Sequence, residues 1–176
     1  MGAHINGTDV RQVLDSIRRI VSALRTFDRE AEHRLGISGA QLFVLRQLKE
    51  GEGISVNELA ERTHTHQSSV SVVVDKLVHR NLVRRARSKK DARSVELTLT
   101  PTGQKLLRSA PAAAQERMIG ALERLGNSRR RLLAKSLAEF VAEIGIEVEK
   151  PALFFEHEPR RATGNGRKGK GRRRNV

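Results

Sequence analysis

Apolar residues at Val10, Val13, Leu14, Ile17, Val21, Leu24, Ala31 and Leu35 recur mostly at three- and four-residue steps, the spacing of one helix face. Thr8 or Asp9 can cap the start of that helix, and Gly36 closes it. A helix of this length runs about 40 Å at 1.5 Å per residue, more than the core of a small domain needs. Its stripe is therefore expected to bury against something beyond its own subunit. Three capping signals follow. Ser38-x-x-Gln41 opens a helix through Leu42, Leu45 and Leu48 that ends at Gly51 and Gly53, and Ser55-x-x-Glu58 opens a short one through Leu59 and Ala60. Thr65 or His66 opens a third, through Val70, Val73, Val74 and Leu77 to Arg80. Four valines in its middle lower its helix propensity by a few tenths of a kcal/mol each, so packing must hold it.

After Asn81 the period changes. Leu82–Arg87 and Val95–Leu99 read as two short strands, the second alternating apolar and polar, with Ser88–Ser94 as a polar tip projecting into solvent. Thr100-Pro101 starts another helix with proline at its first position, where no amide donor is needed. That helix carries Leu106, Leu107, Met118, Leu122 and Leu125, and Pro111 should kink it. Gly126-Asn127-Ser128 restarts the chain into a last amphipathic helix marked by Leu132, Leu133, Leu137, Phe140, Val141 and Ile144, ended by Pro151. The fold class expected is mainly α: a winged helix-turn-helix with a two-strand β-wing, flanked by long helices that form a dimerisation lobe.

Charge changes this picture from a fold to a function. The net charge is +14, of which residues 76–94 supply eight Arg/Lys against Asp91 alone, and residues 160–176 eight Arg/Lys with no acid. The rest nets about −1, so the positive field is confined to one internal patch and one tail, the footprint of a polyanion binder. Beyond Leu153-Phe154-Phe155, the last packing candidate, glycine and basic residues dominate and a disordered tail is expected. Composition excludes other classes. With no cysteine there is no disulfide, thiolate metal site or thiol redox sensor, and no apolar run approaches the ~18 residues of a membrane span. A cytoplasmic, nucleoid-associated protein with no membrane partner is expected. Five Phe without Trp or Tyr leave few rings for stacking single-stranded bases, which disfavours RNA binding.

The candidate DNA contacts fall on two elements. At the start of the third short helix, Gln67, Ser68, Ser69 and Ser71 place short donors and acceptors where the helix dipole is positive. Gln suits a bidentate contact to adenine and serine suits phosphate. Val72 can touch a thymine methyl or pack, and Lys76 lies a turn further on. From the hairpin project Arg84, Arg85, Arg87, Lys89, Lys90 and Arg93, and a free arginine at a hairpin tip can enter the narrow minor groove. Asp91 is read as the residue that pins the tip and orients Arg93.

The order of long helix, helix-turn-helix, basic wing with Asp91-x-Arg93, then Val95-x-Leu97-Thr98-Leu99-Thr100-Pro101-x-Gly103, resembles the MarR family (multiple-antibiotic-resistance regulators) over about residues 9–148. The resemblance implies a homodimer of triangular outline, joined by its first and last two helices, that binds a pseudo-palindromic operator on double-stranded DNA and usually represses. Many such proteins release DNA when a small, often anionic aromatic effector binds between the two lobes. Carried onto this chain, it gives DNA contact to Arg93, tip support to Asp91, and recognition contacts to Gln67, Ser68 and Ser71. Val72 stands where many relatives have a basic residue. The organisation expected is an N-terminal arm (1–8), a helical dimerisation region (9–37 and 101–150), a DNA-binding domain (38–100) and a basic tail (151–176).

His33 and Arg46 are the polar groups of the first and second helices that could reach an effector pocket, although the plainer reading is that both are simply exposed. No cofactor or metal is expected: His64-x-His66 offers two ligands with no third nearby in sequence. Gly164-x-Gly166-x-x-Gly169 matches a dinucleotide-binding pattern but has no preceding strand or following helix. No nucleophile elbow or His-Glu-x-x-His run supports an enzyme. The reading from another class is an architectural DNA coater driven by the basic tail with little regard for sequence.

Overall fold

The computed structural model describes residues 7–48, 53–88, 95–146 and 153–154. They form α1 (Gly7–Leu35), α2 (Gly39–Gln47), α3 (Val56–Arg62), α4 (Gln67–His79), β1 (Val83–Arg87), β2 (Val95–Leu99), α5 (Pro101–Arg108), α6 (Ala114–Arg124) and α7 (Asn127–Glu143). Three helix starts, those of α2, α3 and α5, follow the capping chemistry, whereas α1 already begins at Gly7, ahead of the expected caps Thr8 and Asp9. Gly36 ends α1 in the left-handed region at φ 66°. The Ser38 hydroxyl accepts from the Gln41 amide at 3.2 Å while the Gln41 side chain accepts from the Ser38 amide at 3.1 Å, a complete capping box. Ser55 caps α3 through the Glu58 amide at 3.1 Å, but the box is not closed, because the Glu58 carboxylate turns to Arg62 at 2.7 Å.

α2 is the hub of the core. Ala40 to Leu45 are all buried, so the helix is enclosed on every side, with Phe43 1% exposed. α1, α3, α4, α5 and α6 pack around it. The propensity deficit of α4 is met by packing: Val70, Val73, Val74 and Leu77 are fully buried, and burying one such side chain contributes about 1.5–3 kcal/mol.

β1 and β2 pair antiparallel, Val83 opposite Leu99 and Arg87 opposite Val95. An antiparallel bridge between Ile54 and Leu97, with amide bonds of 3.2 and 2.7 Å, joins the α2–α3 connection to the hairpin. The end of β2 is locked by Thr100-Pro101-x-Gly103. The Thr100 hydroxyl donates to the Asn81 carbonyl at 2.7 Å and accepts from the Gly103 amide at 3.0 Å. A Cβ on Gly103 would fall 2.1 Å from the Leu82 carbonyl oxygen, so only glycine lets α5 start this close to the turn before β1.

Two expectations need correction. Pro111 does not kink one helix but separates two, α5 ending at Arg108 and α6 starting at Ala114. Ser88 does not project into solvent; it is buried, its hydroxyl bonded to the Glu96 carboxylate. Leu153 is buried in the core as a packing residue should be, while Phe154 is half exposed. The remainder of the tail, like the N-terminal arm through residue 6, lies outside the described residues.

Candidate nucleic-acid interface

The valines that hold α4 decide which of its residues face outward. With Val70, Val73, Val74 and Leu77 turned into the core, the opposite face presents Gln67, Ser68, Val72 and Asp75 to solvent, with Ser71 at its margin. Val72 is 46% exposed, so it does not pack into the core. His66 occupies the N-cap position but makes no side-chain cap bond. Ser71 donates its hydroxyl hydrogen to the Gln67 carbonyl at 2.9 Å, which leaves its oxygen as an acceptor toward a ligand. Ser69 is only partly exposed. Lys76 is also partly buried and lines a cleft with Glu32 and Arg80, behind the outward face.

The wing sorts its arginines by strand alternation. Directly opposed residues share a sheet face, so Val83, Arg85 and Arg87 stand on one side with Leu99, Leu97 and Val95, and Arg84 and Ala86 on the other with Thr98 and Glu96. Arg84 accordingly bonds across the strands to the Thr98 hydroxyl at 2.8 Å. Arg85, on the side that packs toward α4, reaches the Asp75 carboxylate at 2.7 Å. Arg87 is exposed further out. The structure therefore brings Gln67, Ser68, Ser71, Val72, Arg85 and Arg87 to the outer surface of two adjoining elements. Lys89, Lys90, Asp91 and Arg93 lie outside the described residues. The Asp75–Arg85 pair was missed in the sequence; an acid on the polar face of α4, ten residues before a strand arginine, was the available signal.

The expected effector residues are placed differently. His33 is exposed in the last turn of α1. Arg46 is partly buried and paired with Glu116 of α6 at 2.7 Å, a carboxylate that also accepts from the Ala113 amide at 3.3 Å. Neither lines the cleft of about 330 Å³ where α1, α2 and α4 meet, bounded by Glu32, Gly36, Ile37, Ser38, Gln41, Lys76 and Arg80. The Arg80 guanidinium donates to the Gly36 carbonyl there, tying the end of α4 to the α1–α2 turn. A second junction is tighter. Asp28 of α1, itself buried, accepts from the Gly39 amide at 2.6 Å and so caps α2 from another helix. Among the described residues no group of His, Cys, Asp or Glu is arranged to hold a metal ion, and no helix is long and apolar enough to cross a membrane.

Three short helices, with the third presenting a polar face beside a two-strand wing, define a winged helix-turn-helix protein. The MarR family model matches residues 35–94. Over 74 residues the chain is 39% identical to the HTH-type transcriptional repressor MdtR of Bacillus subtilis (strain 168), a match covering 42% of this chain and 48% of that protein, about half its length. It is 23% identical over 135 residues to the HTH-type transcriptional regulator YsmB of the same organism, covering 77% of this chain and 92% of that one. Among solved structures, the transcriptional regulator BldR from Sulfolobus solfataricus is similar with a TM-score of 0.50 and 26% identity, over 79% of this chain and 99% of that one. Residues 35–94 thus carry the MarR-family sequence pattern, and the chain resembles MarR-type transcription regulators in sequence and fold.

Proposed function

We propose that this protein is a sequence-specific repressor that binds a pseudo-palindromic stretch of double-stranded DNA as a homodimer and lets it go when a small molecule binds. The observation that carries the reading is the outward face of α4. Gln67, Ser68, Ser71 and Val72 are held outward by buried valines at their backs, beside Arg85 and Arg87 on the wing. In the family's docking mode α4 lies in the major groove, where Gln67 reads a base edge, Val72 meets a thymine methyl, and the wing arginines take phosphate. Arg93 enters the minor groove, with Asp91 holding the tip.

The dimer is supported by apolar surface that one chain leaves uncovered. In α7, Leu133, Leu137, Phe140 and Val141, with Ile144 just after it, are all exposed by more than a third, and Leu132 is 67% exposed. Val10, Val13, Leu14, Ile20 and Val21 of α1 join them. A second copy covering these faces would set two α4 helices one DNA turn apart, about 10 base pairs. An anionic aromatic effector acts in this reading by favouring dimers whose α4 helices are mis-spaced. Both ties between α1 and the DNA-binding elements, Asp28 to Gly39 and Arg80 to Gly36, lie where such a shift would be transmitted. For Arg46 to hold the effector it must exchange Glu116 for the ligand's carboxylate.

The test is selection of bound fragments from random duplex DNA. The expected result is a two-fold symmetric motif with half-sites about one turn apart. Fragments without a shared motif would overturn the repressor reading in favour of the coater suggested by the basic residues of 160–176.

A further inference from the structure

We infer that Asp75 is a specificity-determining residue that positions the Arg85 guanidinium between α4 and the wing and makes unmatched DNA unfavourable; this rests on the DNA-binding reading above. Asp75 stands on the outward face of α4, two turns beyond Gln67 and one beyond Ser71, within reach of the surface proposed to meet DNA. It is the one acid in the outward set Gln67, Ser68, Ser71, Val72 and Asp75, against a wing that carries Arg84, Arg85 and Arg87. A carboxylate facing a polyanion is unfavourable unless it has a local task. The geometry supplies one: Oδ1 of Asp75 lies 2.7 Å from an Nη of Arg85, with the two side chains 62% and 40% exposed.

The exposure matters. A pair this open contributes little to folding, so a purely structural staple is a weak account of it. A guanidinium has five N–H donors in a fixed fork, and one carboxylate oxygen leaves the others available. Arg85 is thereby held in one direction in the crevice between helix and hairpin, able to meet a phosphate that passes there only when α4 is seated at its proper depth. On DNA whose bases do not match Gln67 and Val72, α4 rides higher and Arg85 loses its phosphate. Asp75 then faces the DNA backbone with its charge less compensated. Among the described residues Arg84 has no such restraint from an acid; its guanidinium nitrogen is bonded to Thr98 on the far side of the hairpin. The acid therefore adds to the matched and subtracts from the unmatched complex, which is how discrimination is built from repulsion as well as attraction.

The experiment measures the affinity of full-length wild type, Asp75→Ala and Asp75→Asn for the motif recovered by selection and for a random duplex of equal length, at fixed salt, with thermal unfolding of each variant. For Asp75→Ala the expected result is tighter random-duplex binding and a motif-to-random ratio reduced about tenfold, with unfolding little changed. Asp75→Asn, which keeps an acceptor for Arg85 but loses the charge, should fall between the two. A ratio equal to wild type in both variants overturns the inference, and a drop in thermal stability with that unchanged ratio identifies a structural staple. Should wild type itself show no preference between the two duplexes, the DNA-specificity reading fails and takes this inference with it. Wild-type preference with unaltered variants removes the role of Asp75 alone.

Discussion

The DNA-binding lobe and the terminal helices are built of the same residue types and end in opposite states. Around α2, Phe43, Leu45, Leu59, Val73, Leu77 and Leu97 are all fully buried, and the capping groups are satisfied by neighbours. Along α7 no described residue is buried, although it carries Leu132, Leu133, Leu137, Phe140 and Val141. A single chain closes the first region on itself. The second exposes leucines and a phenylalanine at spacings of three and four residues, as a helix does when its partner is another molecule. The lobe is thus a support for α4, and in the proposed dimer the terminal helices would set one lobe relative to the other.

The sharpest way to break this contrast is to damage each region separately. Phe43→Ala removes the largest fully buried side chain at the hub of the lobe and is expected to lower folding stability by about 3–5 kcal/mol, read by urea unfolding. A reduction of less than about 1 kcal/mol would mean the lobe is not the closed unit described. Leu133→Glu combined with Leu137→Glu places two charges on the uncovered face of α7. Sedimentation should then show the dimer dissociation constant raised by roughly 100-fold, about 3 kcal/mol, with the helical content of the lobe unchanged. Equal association of variant and wild type would show that the face is not between subunits.

How much of this was legible in the sequence follows the range of the interactions. Ser38, Gln41, Ser55, Gly36 and the Thr100-Pro101 start act within a few residues of themselves, and each performs the task its local pattern indicates. The alternation of Val95–Leu99 was equally readable, since Leu97 and Leu99 are buried and the residues between them are not. The misses involve partners beyond the reach of one helical turn, from eight residues away to seventy. Nothing near Ser88 shows that Glu96 will fold back over it, and Ile54 bonds to Leu97 across more than forty residues. Arg46 reads as a free cation until Glu116, seventy residues later, is placed beside it. Pro111 was legible as a disturbance, but whether a proline kinks or ends a helix depends on how the two pieces pack, here with α6 turned onto α1 and α2. In the candidate site, the polar residues opening α4 were visible from the valine spacing. The Asp75–Arg85 pair required the strand register that puts Arg85 on the α4 side of the wing.

The central claim is that the outward face of α4 reads DNA sequence while the wing supplies affinity. Its most direct test is the motif-to-random affinity ratio of Gln67→Ala combined with Val72→Ala, measured against wild type at one salt concentration. Removing a side chain that reads a base edge costs about 1–3 kcal/mol of discrimination, so the ratio should fall by at least roughly tenfold while random-duplex affinity stays near wild type. A ratio that survives both substitutions would contradict the claim and move sequence reading away from α4.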